Sequence, residues 1–389
     1  MRLYLTALNP TDSVTDGFLP AAAALGWDVT VLTDRPDAYP GHEAIETDVR
    51  DARAVIDAIA GHHRPDVVFS NSDHLQTETA LAAAYFDLPA KDWRACATAK
   101  NKSLTRRRLA AVETVRSVRL PPGAEPPPGL PYPAVVKPAM GVASEDVVFV
   151  TDGHELAVAV AGIRKRRPSD VLVVEEFLDG PLHTLETLGD GRALRVLGGF
   201  RTTLGPLPHF IEERLDWASP GESPDEYSVH VTAALDAVGI GFGACHTEYV
   251  VTSDGPRIVE INYRVIGDNC DLLMADILDV PLFEWILRMH AGEPLDTLGG
   301  PAGQERFGAA VSLVADRPGV VVSAPPESSD TTGDGVRIWH KPLRAAGDRV
   351  EITHTNRDYL GVVRAVGPDR ARVDAAVDDF RAREPWVVA

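Results

Sequence analysis

Residues 239–270, GIGFGACHTEYVVTSDGPRIVEINYRVIGDNC, constrain this chain more than any other stretch, because two β-rich runs flank Thr-Ser-Asp-Gly-Pro. A turn cluster between such runs predicts two antiparallel strands in a hairpin. Glu248 lies near the end of the first run, Glu260 near the end of the second, and Asn262 two residues on. Strand side chains alternate between faces, so Glu260 and Asn262 point the same way and Glu248 joins them from the paired strand. Two carboxylates gathered there repel one another unless a cation sits among them. Hard oxygen donors suit Mg²⁺ (or Mn²⁺), whereas zinc would want Cys and His ligands. Arg264 continues the alternation and sets a fixed positive charge beside the cation, which suggests an anion between them. The competing reading is a solvated hairpin edge with ordinary surface acids.

At 389 residues the chain is long enough for two or three domains with their own cores. No apolar run approaches membrane length, and MRLYLTALNP breaks at Asn-Pro before a signal-peptide core forms. The expectation is a cytoplasmic protein with no membrane partner. A formal charge of −19, dispersed along the chain, argues against general nucleic-acid binding. Anionic substrates then depend on local basic groups. Cys96, Cys245 and Cys270 fit no metal or redox spacing and read as buried thiols. Only six of the 38 basic residues are Lys, so each Lys draws scrutiny.

The first part of the chain alternates strand and helix. Apolar runs at 3–8, 27–33 and 66–70 read as strands, and 18–26, 51–62 and 76–86 as helices. That alternation implies a small parallel α/β sheet over 1–98. No G-x-G-x-x-G follows the first strand, which removes support for dinucleotide binding. Asn71, Ser72 and Asp73 follow the third run, at the strand end where open α/β sheets place ligands, though a capping loop fits equally.

Residues 99–111, AKNKSLTRRRLAA, read as a basic helix with Lys102 near its start. Seven prolines within residues 121–133 read as a linker between domains. Val135 and Val136 then form a strand that ends at Lys137, and a loop of small residues including Ser144 precedes the next strand. Such a loop can close backbone N–H groups over phosphate. It is no Walker A loop, since no helix carrying Gly-Lys-Ser/Thr follows. Farther on, residues 171–174 make a buried strand whose exit, Glu175, Glu176, Phe177 and Leu178, offers backbone polar groups between apolar walls.

The order of these features resembles the ATP-grasp superfamily over about residues 1–300. The hairpin stretch is most similar to its carboxylate-amine ligases, the group of L-amino-acid ligases and carnosine-synthase-like enzymes. The resemblance implies an ATP-grasp fold of α/β (α+β) class, with a parallel N-terminal domain and two antiparallel lobes. Its expected divisions are 1–98, 99–190, 191–300 and a small β-rich segment, 301–389. It further implies ATP and Mg²⁺ (or Mn²⁺) as cofactors, with Lys102 and Lys137 on the ATP phosphates. Glu175 and the backbone of Glu176, Phe177 and Leu178 would hold adenine, and Glu248, Glu260 and Asn262 the metal. Arg264 would face the reacting phosphoryl group. Leu182 stands where the family usually places a ribose-binding acid, with His183 or Glu186 as the substitute.

The implied reaction joins a small carboxylic acid to an amine through an acyl phosphate, in specialised biosynthesis. The alternatives are a bicarbonate-using ATP-grasp carboxylase and a nucleotide-binding regulator without catalysis. Residues 200–220 form a Gly- and Pro-punctuated stretch that reads as a lid or as a surface hairpin, with Arg201, His209, Glu212, Glu213 and Arg214 available to polar substrates. Asp268, Asn269 and Asp271 are further substrate candidates, and capping of a helix by Asp271 is the competing reading. The segment beyond 300 either completes the site or forms a homodimer interface.

Overall fold

The computed structural model describes residues 1–222, 225–301 and 306–389. It begins with β1 (Arg2–Thr6), α1 (Leu19–Ala24), β2 (Asp28–Thr33), β3 (Glu43–Glu46), α2 (Ala52–Ala60), β4 (Val67–Phe69) and α3 (Gln76–Tyr85). The four strands are all parallel, in the order β3-β2-β1-β4. Helix α2 starts where the Asp51 carboxylate accepts from the Arg53 N–H, and it buries Val55 and Ile59, one turn apart. Strand β3 escapes sequence reading because two of its four residues are Glu and none is buried. Phe18 packs against Phe69 and Phe283 with ring centroids 4.6 and 5.0 Å away. Its complete burial contributes about 2 kcal/mol. Gly17 makes that packing possible, since a Cβ there would lie 2.4 Å from the Phe283 ring.

Helices α4 (Trp93–Lys100) and α5 (Lys102–Leu109) lead into β5 (Ser117–Leu120), β6 (Ala134–Pro138), β7 (Val148–Val150), α6 (Gly153–Arg166) and β8 (Leu172–Glu176). The expected basic helix over 99–111 is in fact broken at Asn101, which is extended (φ −111°, ψ 101°) and caps α5 by accepting from the N–H groups of Ser103 and Leu104. These strands form an antiparallel sheet in the order β5-β8-β6-β7. The proline run at 121–133 is therefore not an interdomain linker. It connects β5 to β6 within one sheet, and both of those strands pair with β8.

The remaining chain supplies β9 (Leu182–Asp190), β10 (Leu194–Leu204), β11 (Glu212–Ala218), α7 (Asp225–Val238), β12 (Phe242–Thr252), β13 (Gly255–Asn262), α8 (Cys270–Leu278) and α9 (Leu282–His290). It continues through β14 (Phe307–Val314), β15 (Gly319–Ser323), β16 (Ser328–Thr331), β17 (Arg337–Pro342), β18 (Arg349–Val350), β19 (Tyr359–Gly367), α10 (Arg370–Arg383) and β20 (Val387–Val388). Among the described residues, one sheet runs β13-β12-β9-β10-β11-β14-β19-β17-β16. Two expected divisions do not follow this ladder. Strand β9 pairs with β12 and β10, so a boundary at 190 cuts off a central strand of the sheet. Strand β14 pairs with β11 and β19, so 301–389 extends the same sheet and is no separate appendage.

The largest core cluster joins the parallel domain to this sheet through α8 and α9. Cys96, Cys245 and Cys270 are buried and unpaired, as the sequence implied. Among the described residues no helix is long and apolar enough to cross a membrane.

Candidate active site

The hairpin forms as its alternation predicts. In the β12–β13 ladder Glu248 stands opposite Glu260, and His246 opposite Asn262. Lys102, the first residue of α5, reaches this pair: its Nζ donates to Glu260 Oε1 at 2.7 Å and to the Gly141 carbonyl at 3.0 Å. Burial disfavours the ammonium, but Glu260 outweighs it and holds the Lys102 pKa above its ordinary value.

Two cavities meet at this hairpin. The first, about 290 Å³, has apolar walls that include Val135, Phe177, Leu178 and Val250. The second, about 530 Å³, is lined by polar groups such as Asn71, Asp73, Asn262, Arg264 and Asp268. Val142, Ser144, Glu212, Glu248 and Glu260 border both. The loop over the seam carries Ala143 and Ser144 at φ 55° each. It is tied down by Asp146, which accepts from Arg166 and Arg167, and by Glu145, which accepts from Arg167.

Glu175 is a buried charged group in the wall of the apolar cavity. Its carboxylate accepts from Arg106 Nε at 2.9 Å and lies 2.9 Å from Lys137 Nζ. Burial pushes the carboxyl up, yet Lys137 and then Arg106 overcome it and hold it at about 2. Arg106 also pairs with Glu113 at 2.6 Å and donates to the Ile258 carbonyl at 2.8 Å. At the strand exit the N–H groups of Glu176 and Phe177 donate to the carbonyls of Arg116 and Pro133. The Leu178 N–H has no hydrogen-bond partner among the described residues.

The chain matches no family model. The uncharacterised protein y4rH of Sinorhizobium fredii is 30% identical over 271 residues, which cover 66% of this chain and 53% of that protein. The chain thus spans about half the length of that curated relative. The crystal structure of an L-amino acid ligase from Bacillus licheniformis superposes with a TM-score of 0.83 at 20% identity, covering 100% of this chain and 98% of the other. A phosphoribosylglycinamide synthetase from Anaerococcus prevotii gives 0.73 at 14% identity, covering 100% and 99%. The biotin carboxylase domain of the Hydrogenobacter thermophilus 2-oxoglutarate carboxylase, with MgADP and bicarbonate, gives 0.69 at 15% identity, covering 100% and 90%. This chain has the ATP-grasp fold.

The ATP-grasp fold brings most of the sequence-predicted residues to the two cavities. Lys102, Lys137, Ser144, Glu175, Glu176, Phe177, Leu178 and His209 line the first, and Asn262, Arg264, Asp268 and Asn269 the second. His209 stacks on His354 with centroids 4.1 Å apart. Asn269 donates to Asp12 at 2.7 Å and is the N-cap residue of α8. Asp271, read as a substrate contact or as a cap of that helix, lies in its first turn with a carboxylate oxygen 2.9 Å from the Leu272 N–H.

Four candidates fall elsewhere. His183 alternates with Leu182, so Leu182 lines the apolar cavity while His183 stacks on Tyr249 of the neighbouring strand. Glu186 is 1% exposed, and one of its oxygens lies 2.7 Å from His246 Nδ1. Neither therefore stands in for a ribose-binding acid. Arg201 is exposed, pairing in register with His183 and with Asp216. Arg214 donates to Asp216 at 2.7 Å and pairs with Asp374 on α10, which makes it a brace between sheet and helix.

Three residues carry more of the site than the sequence suggested. Glu212 enters both cavities because a bulge between Thr203 and Leu204 shifts the alternation of β11. Burial, followed by the charges of Glu248 and Asp268, raises its carboxyl to about 8. Lys91 is buried and donates to Gln76 at 2.7 Å and to the Tyr263 carbonyl at 2.5 Å, between Asn262 and Arg264. The scarcity of Lys was its one sequence signal. His246 is buried between Glu186 and Glu248.

A divalent cation fits the donor set. Glu248 Oε2, Glu260 Oε2 and the Asn262 side chain have no hydrogen-bond partner among the described residues, and all three residues line the polar cavity. No group of three or more His, Cys, Asp or Glu suited to a metal occurs among the described residues. Two carboxylates and a carboxamide leave room for phosphate oxygens and water, as Mg²⁺ favours.

Proposed function

We propose that this protein is an ATP-dependent ligase that condenses a small carboxylic acid with an amine, through an acyl phosphate, releasing ADP and phosphate. The observation that carries this reading is the seam: Ser144, Glu248 and Glu260 border both an apolar cavity and a polar one. Phosphoryl transfer needs donor and acceptor oxygens brought into line at such a junction.

Adenine occupies the apolar cavity between Phe177 and Leu178, where the unpaired Leu178 N–H meets its edge and Glu175 anchors Lys137. Lys137 and Lys102 hold the phosphates, with the Ser144 loop closed over them. Glu248, Glu260 and Asn262 would hold Mg²⁺ (or Mn²⁺), which when bound neutralises charge on phosphoryl oxygens. A carboxylate acylates poorly because oxide is a poor leaving group. Transfer of the γ-phosphoryl group converts that oxygen into part of a phosphate. The amine nitrogen then attacks the acyl carbon, the C–N bond forms, and the bond to the phosphate oxygen breaks. Arg264 binds the carboxylate and the oxyanion that develops in the transition state. The hairpin loop that carries Leu207 and His209 walls the first cavity and excludes water from the acyl phosphate.

Amino acids are the substrates this reading favours. The polar cavity sets the cationic Arg264 against Asp268 and Asn269, a pairing suited to a zwitterion, and its volume of about 530 Å³ has room for organic substrates beyond bicarbonate. Likeness to an L-amino acid ligase supports the same class. We place the activity in the cytoplasm and in specialised biosynthesis.

The test is Mg²⁺-dependent phosphate release from ATP with amino acids and small carboxylic acids supplied singly and in pairs. A specific pair should release phosphate and yield a product one water lighter than their sum. Nucleotide binding with no turnover for any pair would overturn the ligase reading in favour of a binding protein.

A further inference from the structure

A line of buried hydrogen bonds runs behind the hairpin acids. The Phe200 N–H donates to Thr184 Oγ1 at 3.0 Å, and that hydroxyl donates to Glu186 Oε1 at 2.8 Å. His246 Nδ1 lies 2.7 Å from the same Glu186 oxygen, and its Nε2 lies 3.3 Å from Glu248 Oε1. Thr184, Glu186 and His246 are 4%, 1% and 5% exposed. The β9–β12 register sets His246 opposite Glu186 and Glu248 opposite Thr184, so the four side chains form a square on one face of the sheet.

We propose that His246 is a positioning residue that fixes the Glu248 carboxylate for a divalent cation, and that Glu186 and Thr184 fix His246 in turn. This rests on the ligase reading only in assigning Glu248 to the cation. A carboxylate on a strand rotates about its terminal bonds. Holding Oε1 on the imidazole leaves Oε2 as the oxygen turned to the cavity. Groups hydrogen-bonded behind a metal ligand restrict it in this way. Glu186 is too buried to meet a substrate, and its contact with the ring accounts for a carboxylate at that depth.

The two ring nitrogens can be tested separately. His246→Asn keeps a donor near Glu186 but falls short of Glu248, whereas His246→Gln extends its donor toward Glu248. The measurement is Mn²⁺ binding in the presence of adenylyl imidodiphosphate, read from the electron paramagnetic resonance of free Mn²⁺. His246→Asn should weaken Mn²⁺ by about 10- to 100-fold. His246→Gln should recover most of that loss, and binding of the analogue without metal should not change. Mn²⁺ binding by His246→Asn equal to wild type, or an equal loss in both variants, would overturn the role. Should His246→Asn not fold, Glu186→Gln preserves the shape and should weaken Mn²⁺ in the same direction. Unchanged affinity in that variant overturns the relay. A wild type that takes up no Mn²⁺ with the analogue would overturn the ligase reading together with this role, whereas wild-type uptake with indifferent variants would overturn the role alone.

Discussion

Lys102 Nζ lies 2.7 Å from Glu260 Oε1, on an ammonium that also holds the Gly141 carbonyl. One side chain therefore joins the start of α5, the loop over the seam and the acidic hairpin. Removing it should loosen all three where phosphate would sit. Lys102→Ala should lower kcat/KM for ATP by about 100-fold, as measured by steady-state phosphate release. Activity near wild type would show that Lys102 only neutralises Glu260.

Arg264 donates to the Val265 carbonyl and otherwise faces the polar cavity, away from the apolar walls. Arg264→Ala should therefore leave the Kd of a nucleotide analogue unchanged while kcat falls by about 100-fold or more. Calorimetric titration beside turnover separates the two. Parallel loss of both would place Arg264 on the nucleotide instead.

Arg201 and His183 occupy the face of the sheet opposite the seam. Arg201→Ala should change neither kcat nor KM, and its stability should move by no more than about 0.5 kcal/mol. Loss of activity in that variant would require the hairpin that bears Arg201 to reach the cavity by another route.

Glu175 is the shared anion of Arg106 and Lys137, all three of them buried. Glu175→Gln leaves two buried cations without that partner and should destabilise the fold by about 3 kcal/mol or more. With the folded carboxyl held at about 2 against an ordinary 4.5, the native state binds fewer protons than the unfolded chain between those values. The stabilisation is present above pH 4.5 and lost as the pH falls from there toward 2. Urea midpoints taken from neutral pH down to about pH 3 should fall faster for wild type than for Glu175→Gln.

Alternation made the hairpin legible, since Glu248, Glu260 and Asn262 needed only two strands and a turn to converge. The parallel sheet was legible for the same kind of reason, with strand and helix periods alternating along the chain. Where the ladder departs from strict alternation, the reading lost its hold. The bulge at Thr203 and Leu204 sent Glu212 into the site and left Arg214 outside it. His183 failed as a ribose ligand because it neighbours Leu182 on a strand and must face the other way. The proline run mimicked a linker because a proline-rich connection between two strands of one sheet has the same composition as one between domains. Arg106 reaches Glu175 and Ile258, Glu113 reaches His230, and Lys91 reaches Tyr263, contacts 69 to 172 residues apart in sequence that no local pattern marks.

Strand β14 bonds β11 on one side and β19 on the other. The last part of the chain is thus woven into the ladder that ends at the acidic hairpin. A protein shortened at residue 300 would present the flank of β11, with its row of unanswered N–H and C=O groups, to any extended peptide nearby. Such a truncation would yield self-associating material and not a smaller folded protein, so shortening the chain for crystallisation or fusion is better tried from within the exposed turns.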